Sequence, residues 1–153
     1  MKQTVVTPIL GALLAVSAAG ARAGEPTVIT LTQTACQFLE PEGGTDHGFA
    51  STSARECTAI NRETGAARLA AAKVLTLKAG DYIFRITNRD VPYDLGFWLR
   101  GDGLAGRVRL PSVSGGGLSP GATRDYAVTL KPGNYRYSCP LNPTPDYRLT
   151  VTE

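Results

Sequence analysis

Three cysteines and one histidine carry most of the chemistry open to this chain. Cys36, Cys57 and Cys139 permit three pairings, and an odd count leaves at least one thiol unpaired within a monomer. A Cys36–Cys57 disulfide would close a loop worth about 3 kcal/mol on the chain-entropy estimate and leave Cys139 free. The competing arrangement sets Cys36 against Cys139, as a disulfide or as two thiolates on a soft metal ion. His47, within Gly43-Gly44-Thr45-Asp46-His47-Gly48-Phe49, is the sole imidazole, and a neutral imidazole binds copper or zinc. Glu40, Glu42 and Asp46 stand in the same polar stretch, either as oxygen ligands or as solvated surface.

Other chemistries find no support. The basic residues are scattered singly, so no cluster grips a nucleic-acid backbone. Ser112-Val113-Ser114-Gly115-Gly116-Gly117 lacks the lysine and helix start of a phosphate-cradling loop and reads as a flexible β connection. A single histidine with no activated-serine context gives no hydrolytic triad. The expectation is a binding protein and not an enzyme.

The elements that must position these residues are short strands between turn residues. Thr27 to Thr32, Lys73 to Leu77, Tyr82 to Thr87, Leu95 to Leu99, Tyr126 to Leu130, Tyr135 to Cys139 and Tyr147 to Thr152 are β-prone, with Lys78-Ala79-Gly80-Asp81 and Lys131-Pro132-Gly133-Asn134 turning between them. Seven or so such strands predict an all-β, Greek-key β-sandwich. The strand at Tyr82 is expected to be covered on both faces. Phe97 and Trp98 read as sandwich core or a partner-facing edge. Cys36 to Ala72 is long for a connection. Its Ala-rich part, Arg62 to Ala72, predicts a short helix inside an insertion after the first strand.

The N-terminus predicts export. Met1-Lys2-Gln3 is a short positive start, Val5 to Ala19 an apolar run too short for a bilayer core of about 30 Å, and Ala21-Arg22-Ala23 a small-x-small cleavage pattern. Residues 1–23 are therefore read as a signal peptide and 24–153 as one domain in the periplasm. No membrane insertion is expected after cleavage, and no lipid anchor, since no cysteine follows the cleavage site. Losing Lys2 and Arg22 lowers Lys plus Arg from 16 to 14 against 13 acidic residues, a mature net charge near +1.

The C-terminal half resembles the cupredoxins, the small copper-carrying β-sandwiches. Pro132-Gly133-Asn134-Tyr135-Arg136-Tyr137-Ser138-Cys139 matches the approach to their copper cysteine, and Asn88-Arg89-Asp90-Val91-Pro92-Tyr93-Asp94 stands where they carry Asn, a short loop and Pro-His. In that alignment Tyr93 takes the place of the first copper histidine and Asn142 that of the second. No methionine follows Met1. The resemblance thus implies the fold without the blue site, which needs two histidines and a cysteine.

A narrower likeness is to the cupredoxin-like domains of periplasmic iron-uptake proteins. They too lack those ligands and keep cysteines at the places of Cys36 and Cys139. That likeness associates the two thiols with copper and nearby carboxylates with copper or iron, iron being the lesser candidate here. The implied ligands are Cys36, His47 and Cys139, with Cys57 a fourth ligand or the disulfide partner of Cys36. The function implied is metal handling or electron transfer beside an envelope metal-transport or redox protein. The rival reading is a metal-free module that docks onto an envelope partner through its loop end.

Overall fold

Alternation builds the sandwich. The computed structural model describes residues 24–153, so the signal peptide read at 1–23 lies outside the described residues. The strands are β1 (Thr27–Thr34), β2 (Gln37–Phe38), β3 (Leu75–Lys78), β4 (Gly80–Asn88), β5 (Leu95–Gly101), β6 (Val113–Leu118), β7 (Thr123–Leu130), β8 (Gly133–Ser138) and β9 (Tyr147–Thr152). They form a four-stranded sheet, β2-β1-β4-β7, and a five-stranded sheet, β3-β9-β8-β5-β6. The all-β sandwich with a helix in the insertion is therefore the observed architecture.

Tyr82, Phe84 and Ile86 of β4, Leu95, Phe97 and Leu99 of β5, Tyr135 and Tyr137 of β8 and Tyr147, Leu149 and Val151 of β9 are all buried. Spaced by two, they fall on one face of each strand and meet between the sheets. Phe38 sits among Phe97, Tyr137 and Tyr147, with ring centroids 5.7 to 6.2 Å apart and edge-on geometry. Such aromatic pairs add roughly 0.5–1.5 kcal/mol each beyond their burial.

Several expectations need correction. β4 is buried on one face only, because the outer face of its sheet is open and Asp81 and Arg85 point into solvent. Lys78 to Asp81 does not close a hairpin: β3 pairs in parallel with β9, while β4 pairs with β1 and β7 in the other sheet. The segment read as a flexible connection at Ser112 to Gly117 is largely strand β6, antiparallel to β5 across a register shift between Leu95 and Phe97.

The insertion carries α1 (Ala54–Ala71), 18 residues where the sequence predicted a short helix over Arg62 to Ala72. The signal for its start is the S-x-x-E pattern Ser53-Ala54-Arg55-Glu56, of which Glu56 makes the capping contact and the Ser53 side chain makes none. Glu56 Oε2 turns back to accept the Thr52 N–H at 2.5 Å. A second helix, α2 (Gly103–Arg109), follows β5. Local propensity does not predict it, since two of its seven residues are glycine.

Candidate functional site

Cys139 follows the end of β8 and is 1% exposed. Its Sγ accepts the N–H of Gly96 at 3.3 Å and of Asn142 at 3.2 Å, with the Leu141 amide also directed at it. Burial pushes the thiol above its ordinary range, and these amides only partly reverse that. Gly96 is a steric requirement of the site, since a Cβ there would stand 2.6 Å from the Gly115 carbonyl oxygen. The same Gly96 offers its carbonyl to Gln33 Nε2 at 2.8 Å, while Gln33 Oε1, fully buried, has no donor.

Asn142 locks the opposite wall. Fully buried, it accepts the Cys36 N–H at 2.8 Å and the Tyr93 hydroxyl at 3.3 Å through Oδ1, and donates from Nδ2 to the Thr34 carbonyl at 2.9 Å. Tyr93 also meets Ser51 Oγ at 3.0 Å. Cys36 takes the left-handed conformation, φ 65°, in the tight turn between β1 and β2. That conformation costs a non-glycine residue of order 1 kcal/mol or more, and here the Asn142 hydrogen bond helps hold it. Cys36 is joined to Cys57 of α1, with Cα atoms 4.9 Å apart. The disulfide thus staples the long helix to the sandwich beside Asn142, and Cys139 is the free thiol.

His47 belongs to another cluster. Its Nε2 lies 2.6 Å from Glu42 Oε2, and its ring stacks on Phe49. Glu42, with a side chain 4% exposed, also receives Arg68 Nη2 at 2.6 Å, Arg68 Nε at 3.0 Å and the Tyr147 hydroxyl. Arg68 spends its remaining donors on Asn61 Oδ1 at 2.7 Å and the Cys36 carbonyl at 3.2 Å. Burial raises the Glu42 carboxyl, but the hydrogen bonds from Arg68 and Tyr147 and the Arg68 charge outweigh it, so the group ionises below its ordinary range. Burial, then the hydrogen bond and charge of Glu42, push the Tyr147 phenol far up. This network is a structural brace between the insertion and the sheet. Nothing in the sequence flagged Arg68 or Tyr147 for it, because the partners lie far apart in the chain.

The expected ligand trio is therefore not assembled. Of the two roles open to Cys36, the structure shows the disulfide with Cys57, and His47 meets Glu42 rather than Cys139. Among the described residues no three His, Cys, Asp or Glu side chains gather as a metal-holding group. Tyr93 and Asn142 do sit beside one another as the resemblance implied, and they are hydrogen-bonded to each other.

No family model and no curated protein is similar to the chain. Solved structures are. Auracyanin B matches at 15% identity and a TM-score of 0.50, over 83% of this chain and 89% of that one. Auracyanin A, a "blue" copper protein from the green thermophilic photosynthetic bacterium Chloroflexus aurantiacus, matches at 16% identity and 0.42, over 83% and 99%. A laccase from Pediococcus acidilactici matches at 9% and 0.44, over 100% of this chain but 32% of that longer one. The fold is cupredoxin-like, with auracyanin B carrying that conclusion.

Copper is the metal this fold brings to mind, and the donors decide what fits. A blue centre needs two imidazoles around the thiolate. Here those places hold a phenol and an amide bonded to one another, so a blue centre does not fit. What the site offers is one soft sulfur and, across Gly96, one buried amide oxygen without a donor.

Proposed function

We propose that the chain is a periplasmic, cupredoxin-like protein of metal handling or electron transfer that takes copper through Cys139 and has no blue centre. The supporting observation is the surroundings of the sulfur. A neutral core thiol is a weak acceptor and gains little from several amides aimed at it, whereas a thiolate is stabilised by charge-assisted hydrogen bonds. A soft thiolate suits Cu(I), which when bound would supply a one-electron couple or be the cargo itself. In this reading Gly96, Leu141 and Asn142 hold the charge on Sγ. Tyr93 and Asn142 close the site on the side of α1, and the Cys36–Cys57 disulfide keeps that wall in place. Iron, a harder ion, fits a sulfur site less well. A relationship to iron-uptake systems belongs to the same proposal, with an envelope metal-transport or redox protein as partner.

The Tyr93–Asn142 hydrogen bond favours the second reading, a metal-free module that docks onto an envelope partner. One set of measurements separates the two. Metal content is determined on protein taken from the periplasm, and Cu(I) uptake is measured in competition with a chelator. On the copper reading the parent takes Cu(I), Cys139→Ser loses it, and His47→Ala keeps it because His47 is bound to Glu42. A Cu(II)-loaded sample shows no intense blue band. Cys139→Ser protein that binds Cu(I) like the parent, or a parent that takes none, leaves the docking module.

A further inference from the structure

Helix α2 presents its apolar residues outward. Leu104 and Val108, one turn apart, are 83% and 78% exposed, and no residue of the helix is buried. The backbone enforces this orientation. A Cβ at Gly101 would lie 2.2 Å from the Gly106 carbonyl oxygen, so helix and strand touch main chain to main chain at the only residues small enough. Asp102 N donates to the Asn134 carbonyl at 2.8 Å, and Leu110 packs on Gly133, which fixes both ends. The helix cannot roll to hide Leu104 and Val108 without breaking these contacts.

The charge on the helix itself is of one sign. Arg107 and Arg109 follow in the last turn, the first turn has no acidic residue, and neither arginine forms an ion pair among the described residues. Asp102, the nearest carboxylate in the chain, is engaged by Arg136 Nε at 2.6 Å. Farther out on the same pole, exposed Lys131 is offset by exposed Asp81 and Glu153, so the basic charge is confined to the helix.

The chain also enters at this pole. Thr27 is in register with Tyr82, two residues past Gly80, and Gly80 is in register with Leu130 just before that turn. The first described residues, 24–26, lead into β1 here, at the end of β5 opposite Cys139.

We infer that α2 is a peripheral attachment site for an anionic lipid surface. Leu104 and Val108 would enter the interface while Arg107 and Arg109 meet the headgroups. Two aliphatic side chains without an aromatic anchor are too little for the apolar centre of a protein interface, which takes about 800 Å² a side. A bilayer needs no matching groove. The inference is independent of copper.

The test is co-sedimentation of the exported protein with vesicles of phosphatidylglycerol mixed with phosphatidylethanolamine, and with vesicles of phosphatidylcholine alone. The parent is expected to sediment with the first at low salt and not with the second. Leu104→Ser with Val108→Ser, and separately Arg107→Gln with Arg109→Gln, should each weaken binding by about tenfold or more. Both pairs are exposed, so unchanged thermal unfolding of the variants shows that folding is not the cause. A parent that stays in solution, equal binding to neutral vesicles, variants that bind like the parent, or self-association through the ridge in place of vesicle binding would each overturn the assignment.

Discussion

Replacing Arg68 with Met keeps the aliphatic stem and removes the cation from the brace. Glu42 would then be a carboxylate with a 4% exposed side chain, holding only Tyr147 and His47. Removing one partner of a buried, hydrogen-bonded pair costs about 3–5 kcal/mol, because the other charge is left in the interior. For a domain of this size that is a fall in Tm of roughly 10–20 °C. A cycle with Glu42→Gln isolates the pair, and the double variant should recover at least about 1 kcal/mol relative to the sum of the singles. The pH dependence follows from the depressed carboxyl. Its contribution is complete above the ordinary value of 4.5 and is lost as pH falls through the lower folded-state value. The gap between parent and Arg68→Met should therefore be widest at neutral pH and narrow in acid. Urea titrations across that range read it directly. A penalty below about 1 kcal/mol at neutral pH, or one that does not shrink in acid, would mean that the pair is not the brace described.

Cys57→Ser should cost about 3 kcal/mol from the loop between Cys36 and Cys57, a sequence separation of 21. Peptide mapping of the parent should return Cys36 joined to Cys57; any other pairing refutes the assignment. Cys139, 1% exposed and protonated at neutral pH, should resist alkylation in the native protein and react with one equivalent after unfolding, so rapid native labelling would contradict its burial. Gly101→Ala should cost about 1–3 kcal/mol or detach α2, since its Cβ has no room against Gly106, and a neutral result in urea would disprove the clamp.

Much of the sandwich was legible because one face of each inner strand is apolar at a spacing of two, as with Tyr135 and Tyr137 or Tyr147, Leu149 and Val151. Which strands pair was not legible. The partnership of β3 with β9 joins Leu75 to Leu149, and nothing local encodes it. At the site, the cysteine pattern and the Tyr93 and Asn142 positions were readable from a motif. The choice among three disulfide pairings was not, and neither was His47's attachment to Glu42, because both depend on where the insertion folds back. The start of α1 carries its signal in Ser53-Ala54-Arg55-Glu56, whereas the alanine content of Arg62 to Ala72 marks only its C-terminal half.

The place of β9 bears on when the molecule can fold. It lies between β3 and β8, so the five-stranded sheet has no continuous interior until Tyr147 to Thr152 are present. Nucleation must wait for contacts between residues far apart in the chain, which makes folding slow relative to a helical domain. A chain in which Tyr147 to Thr152 have not yet been added lacks the strand that joins β3 to β8, and so holds its two halves of this sheet apart.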